Sequence, residues 1–129
     1  MTWPDAEAAL IAWLAPRLGV RVCTDAPADL DQAVPLVRLR RIGGTDDGVR
    51  LDLALIDVDA FASMRPAAVN LAARVRDALL AALPGAVVPS AAAVFTAAST
   101  VTAPAWRPWE NTALTRVGAT YAVRLHAHP

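Results

Sequence analysis

Two alternating runs separated by glycines constrain this chain most, because together they satisfy polar and apolar preferences as a β-hairpin. Val37, Leu39 and Arg41 alternate with Arg38 and Arg40, and Leu51, Leu53 and Leu55 alternate with Asp52 and Ala54. The simplest register sets Leu39 against Leu53 and Val37 against Leu55, which brings Arg40 opposite Asp52 as a favourable cross-strand pair. Gly44 and Gly48 then close a short loop of Thr45, Asp46 and Asp47, with glycine where positive φ is expected. Past Leu55 the pattern slips by one: Ile56, Val58 and Ala60 become the apolar set and Asp57 and Asp59 the polar one. Such a slip predicts a β-bulge near Leu55 in a long strand reaching Phe61.

The flanking segments fill out a mixed fold. Thr2 and Asp5 have capping-box spacing, and Pro4 suits a first helical turn. A helix bearing Leu10, Ile11, Trp13 and Leu14 is expected to run to about Leu14, with Pro16 and Gly19 ending it. Val20–Thr24 reads as a short strand, and Asp25–Pro35, with two prolines and three aspartates, as a surface loop. Ser63 and Pro66 open a second helix whose stripe is Ala68, Ala72, Val75, Leu79 and Leu83. Val94–Thr102 predicts a strand, Pro104–Asn111 an irregular loop, and Arg116–His126 a last strand with Val117, Ala119, Tyr121, Val123 and Leu125 on one face. The order α-β-β-β-α-β-β over residues 1–129 predicts a single α+β domain: a largely antiparallel sheet of about four to five strands with two helices on one face.

Composition narrows the function classes. Twelve arginines balance twelve acidic residues, with no lysine, which argues against a dedicated nucleic-acid binder. Apolar residues make up 56% of the chain, and the four tryptophans weigh more than the many alanines. That surplus favours self-association over a membrane, since no stretch approaches the ~20 apolar residues of a span. The start, Met1-Thr2-Trp3-Pro4-Asp5-Ala6-Glu7, is acidic where a signal peptide would be basic, so a cytoplasmic protein is expected.

Chemistry finds little support. Asp57 and Asp59 share a strand face about 7 Å apart, a spacing a metal-dependent nuclease could use, yet Arg38 and Arg40 on the neighbouring strand are the simpler partners. His126 and His128 sit at the C-terminus; Gly43, Gly44 and Gly48 join two strands rather than open a helix; Cys23 stands alone. No catalytic residue, metal or cofactor is expected. Trp106 and Trp109, flanking Arg107-Pro108 in a segment stiffened by Pro104, are of the types enriched at interface hot spots. The candidate interface residues are therefore Trp106, Arg107 and Trp109, together with Arg38 and Arg40 on the hairpin and Asp46 and Asp47 at its tip. One tryptophan is expected to point inward and one to face a neighbour.

The element order, the strand Leu-Asp-Leu-Ala-Leu-Ile-Asp-Val-Asp-Ala-Phe, and the ending Pro104-Ala-Trp-Arg-Pro-Trp-Glu-Asn111 followed by Arg116-Val-Gly-Ala-Thr-Tyr-Ala-Val-Arg-Leu125 resemble the tail terminator (tail completion) proteins of long-tailed bacteriophages. The resemblance spans nearly the whole chain. It implies a structural virion protein, assembled in the host cytoplasm, that forms a hexameric ring at the head-proximal end of the tail. Such a ring caps the tail tube, ends its polymerisation and joins it to a head-side connector, with DNA passing non-specifically through the lumen. A head-completion or head–tail connector protein is the alternative, and a small metal-dependent enzyme using Asp57 and Asp59 a distant third.

Overall fold

Alternating side chains sort the strands of this chain onto one six-stranded sheet with two unlike faces. The computed structural model describes residues 2–129. In chain order the elements are α1 (Ala6–Leu18), β1 (Arg21–Cys23), the single-turn α2 (Leu30–Ala33), β2 (Leu36–Asp46), β3 (Asp52–Ala62), α3 (Arg65–Asp77), β4 (Val87–Val88), β5 (Ala93–Arg107) and β6 (Thr115–Ala127). Strand order is β1-β2-β3-β6-β5-β4, antiparallel throughout except for β1 with β2. The class and the largely antiparallel sheet are those the sequence predicts. The sixth strand is β4, two residues long and too short to leave a periodic signal.

Both long helices pack on one face. Against it stand Val37 and Leu39 of β2, Ile56 and Val58 of β3, Phe95 of β5, and Tyr121, Val123 and Leu125 of β6, all buried. From α1 come Leu10, Trp13, Leu14 and Leu18, and from α3 Ala68, Leu71, Ala72 and Val75. A π-helical turn over Ala78–Ala82 carries α3 onward and keeps Leu79 and Leu83 in the same core. Each fully buried large apolar side chain contributes about 1.5–3 kcal/mol. The one-turn α2 lies on the opposite face, where Leu30 joins Leu36, Phe61 and Leu114 in a second, smaller cluster.

Several boundaries differ from the sequence expectation, each for a local reason. Asp5 itself caps α1, accepting from the Ala8 N–H at 3.1 Å, so Thr2 is no cap and Pro4 precedes the helix. Pro16 does not end α1; its missing donor falls in the last turn, and Gly19 closes the helix at φ 67° with its N–H on the Ala15 carbonyl. In α3 the capping position is Met64 rather than Ser63, with Pro66 in the first turn. β5 continues through Pro104 to Arg107 instead of stopping at Thr102; its pairing with β6 is irregular between Phe95 and Ala97, Thr100 and Thr102, and Thr102 and Ala105. The last irregularity contains the proline, which has no N–H to offer a ladder.

The hairpin is present, but its register is not the expected one. Leu39 pairs with Val58, Val37 with Ala60 and Arg40 with Asp57. β3 runs unbroken against β6 from Asp52 to Ala62, so Leu53 and Leu55 stand on the face away from the helices, half-buried. The extra residue is in β2, between Arg41 and Gly43, where Ile42 bulges out 55% exposed. Arg41, not Arg40, holds Asp52: Nη1 and Nη2 donate to its two carboxylate oxygens at 2.7 and 2.8 Å. The Arg41 backbone N–H donates to Glu7 Oε2 at 2.9 Å, tying the first turn of α1 to the hairpin. The turn is residues 47–51. Asp47 organises it, accepting from the N–H groups of Arg50, Val49 and Leu51, while Asp46 accepts from Gly48.

Two outcomes test this register. Gly44 sits at φ 131°, where an added Cβ would run into the Leu53 carbonyl. Gly44→Ala should cost about 1–3 kcal/mol in denaturant unfolding, whereas Gly48→Asn, at φ 74° in open space, should be nearly neutral. The three backbone donors, that of Arg50 first, also hold the Asp47 carboxyl below its ordinary value. A depressed carboxyl pKa supplies its stabilisation above the unfolded value of about 3.9 and loses it as pH falls through the lower folded value. Protection of the Val49, Arg50 and Leu51 amides, taken relative to their intrinsic exchange rate at each pH, should therefore persist at mildly acid pH and fall only below the ordinary aspartate range. Asp47→Asn should abolish that transition.

Candidate functional site

The face away from the two long helices collects charge. Register brings Arg38 opposite Asp59 and Arg40 opposite Asp57, and across β6 it sets Asp59 beside Gly118 and Asp57 beside Thr120. Arg107 ends β5 opposite Arg116. Asp59, only 2% exposed, accepts from Arg38 Nη2 at 2.7 Å and from Arg107 Nη1 at 3.1 Å. Arg116 Nε lies 3.3 Å from the same carboxylate, an ion pair by distance whose N–H is not aimed along a hydrogen bond. The same Arg107 nitrogen reaches both oxygens of Asp57 at 2.9 and 3.1 Å, and the Thr120 hydroxyl donates to Asp57 at 3.1 Å. A Cβ at Gly118 would collide with the Asp59 carboxylate and sit 2.5 Å from Arg107 Nη1, so glycine is what admits the cluster. Both aspartates are thus engaged by arginines.

Beyond Arg107 the chain leaves the sheet and folds beneath it. Trp109 meets Phe61 edge-on, with ring centroids 4.9 Å apart at 71°. The guanidinium carbons of Arg38 and Arg116 stand 5.5 and 5.3 Å from its ring, close enough for cation–π attraction. Trp109 therefore covers the second cluster. An open cleft of about 440 Å³ lies between this loop and the Asp25–Asp31 segment, with Arg38 and Arg40 among its walls.

Trp106 goes the other way. It pairs with Val117, whose side chain belongs to the helix face, and is 62% exposed. With Pro104 it forms one wall of a groove of about 300 Å³, whose other wall is the Arg65, Val69, Ala73 and Arg76 face of α3. Val69 is 42% exposed and Met64, just before the helix, 66%. Neither Arg65 nor Arg76 belongs to an ion pair among the described residues.

The residues singled out from sequence thus fall into separate places. Arg38, Arg107 and Trp109 are brought together on the outer face, where their side chains meet other parts of the same protomer. Asp46 and Asp47 bind turn amides at the far end of the hairpin. Arg40 and Trp106 are exposed, and among the described residues neither side chain makes a hydrogen bond or an ion pair. The groove along α3 was missed, because Arg65, Val69, Ala73 and Arg76 read as an ordinary solvent face until β5 extends to Trp106. Arg116 and Gly118 were missed as parts of the charge cluster; a glycine in mid-strand was the available signal.

The sequence matches the family described as "Phage tail termination protein" over residues 2–123. Among curated proteins none matches. Among solved structures the chain is similar to one from the "Virion of native gene transfer agent (GTA) particle", at a TM-score of 0.61 and 21% identity, covering 95% of each chain. At that identity the likeness is one of fold.

Substitutions separate protomer-building residues from free ones. Asp59→Ala leaves half-buried arginines unpaired and should cost about 1–3 kcal/mol in unfolding free energy, and Asp57→Ala, whose side chain is 28% exposed, distinctly less. Trp109→Ala should lower the protomer's melting temperature by an amount equivalent to about 3 kcal/mol. Trp106→Ala should leave the melt nearly unchanged.

Proposed function

Since the chain belongs to the phage tail termination protein family, and is thereby a structural protein of the virion tail, we propose that it closes into a ring of identical copies, six in number, on the head-proximal end of the tail tube. Assembled in the host cytoplasm, the ring stops tube polymerisation and offers its other side to the head-side connector, with DNA passing through the lumen. The observation that carries this reading is the bare Trp106 groove. An indole 62% exposed across a groove from exposed Val69 is a hot-spot arrangement awaiting a partner. Copies related by rotation meet through two different patches, and such heterologous contacts close into a ring. The groove supplies one patch at one margin of the sheet. Arg40, exposed on the outer face, and the Asp46–Asp47 turn are further surfaces left to tube or connector, whereas Arg38, Arg107 and Trp109 act through the protomer's own fold.

Native mass spectrometry with light scattering, run with and without purified tail tubes, tests the assembly. Hexamers, free or formed on tube ends, together with arrest of tube growth at substoichiometric amounts, are the expected result. Binding to filled heads with no affinity for tubes would move the protein to the neck and overturn the proposal.

A further inference from the structure

The Trp106 groove has a charge character that names its occupant. Its apolar wall of Trp106, Pro104 and Val69 is bordered on α3 by Arg65 and Arg76, eleven residues apart and so about 16 Å along the helix. Neither makes an ion pair among the described residues. A fitting segment is short, small in its side chains and acidic toward both ends. The chain contains one. Asp25-Ala26-Pro27-Ala28-Asp29-Leu30-Asp31 joins β1 toward β2; Asp25, Ala28, Asp29 and Asp31 are exposed, and among the described residues none of the three aspartates is in an ion pair, although Asp25 and Asp31 share a cleft with Arg38 and Arg40. The chain bends at Thr24–Asp25 and turns at Ala28–Asp29 into α2, so the three aspartates are presented on a compact segment rather than an extended one.

Topology puts the two surfaces where a ring needs them. The acidic segment follows β1, the first strand in the sheet order, and the groove is bounded by β5 near the other margin. Leu36, Phe61, Arg116 and Arg107 are paired in one row across β2, β3, β6 and β5. The acidic segment ends just before that row and Trp106 sits at it, so both lie at the same end of the strands. The segment packs on the outer face, where Leu30 joins Leu36 and Phe61, and the groove opens beside α3 on the helix face, so the two patches are distinct, as a head-to-tail contact requires.

We infer that the ring contact seats the Asp25–Asp31 segment of one copy in the Trp106–α3 groove of the next, with Pro27 and Ala28 against the indole and the aspartates toward Arg65 and Arg76. This rests on the ring proposed above. The charges are exposed on both sides, so the contact weakens with salt, while the Trp106 anchor does not.

Charge reversal with rescue tests it. One variant carries Arg65→Glu and Arg76→Glu, the other Asp29→Arg and Asp31→Arg, and each is first shown by circular dichroism to melt like wild type. Each alone should lose assembly at least tenfold in the concentration required. An equimolar mixture should regain it, because each reversed groove then meets a reversed segment. In a Cys23→Ser background, Ala28→Cys with Ala73→Cys in one chain should give a covalent ladder with a short bis-maleimide, while mixing the two single-cysteine chains should stop at dimers. If wild type assembles and the reversed variants assemble equally well, or mixing restores nothing, this contact is wrong and the ring stands. If wild type assembles neither alone nor on tubes, the ring fails and this contact with it.

Discussion

A carboxylate 2% exposed to solvent governs the outer face of this sheet. Arg38, Arg107 and Arg116 converge on Asp59 there from three other strands. Taking one charge out of water costs several kcal/mol, and the cost is offset only when partners arrive with good geometry. That condition reaches far along the chain. It requires β2 and β3 to pair with Arg38 against Asp59, a glycine at 118 so that Arg107 can cross β6, and a β5 long enough to deliver Arg107. The charge cluster stitches four adjacent strands across their ladder, where an apolar patch would tolerate a slipped register.

The same parity divides the tryptophans. Trp106 precedes Arg107 in β5, so if Arg107 points to the outer face, Trp106 points to the helix face, at the rim left open beside α3. Two residues past Arg107 the chain has left the sheet, and Trp109 is free to turn back over Phe61. A segment of four residues thereby supplies an ion-cluster member, a lid and an exposed indole. Most of the apolar residues are inside, and the large ones left exposed include Trp106, Val69 and Met64 as well as Ile42 and Val49 beside the hairpin turn.

Much of this was legible in the sequence. The helical stripes of α1 and α3 and the alternation of β6 came from patterns that local physics reads directly, and the likeness to tail terminators from a resemblance in element order and in the ending Pro104–Leu125. The hairpin register did not. Matching Leu53 and Leu55 to Leu39 and Val37 assumed that the most apolar residues face the main core, but in β3 the inward set is Ala54, Ile56, Val58 and Ala60, and the leucines line the half-covered outer face. Moving Leu39 from residue 53 to residue 58 is an odd shift, so it exchanges the two faces. Pro104 misled in the same spirit, since a proline is a poor strand residue only where its N–H is wanted. The groove could not be read at all, because it is made by β5 meeting a helix nearly forty residues earlier, and no local pattern records that meeting.

The three irregularities of β5 carry one more consequence. Beyond Phe95, which bonds Gly85 and Ala86 next to β4, this strand pairs with no outer strand among the described residues, and a straight, regular margin of that kind invites another chain to add its own strand, then another, without limit. Repeated bulges and a proline spoil the template. A margin of this shape is poorly suited to zipping backbone to backbone with another chain. For a component whose family is named for ending a polymer, being unable to seed one of its own is a fitting property of its outermost long strand.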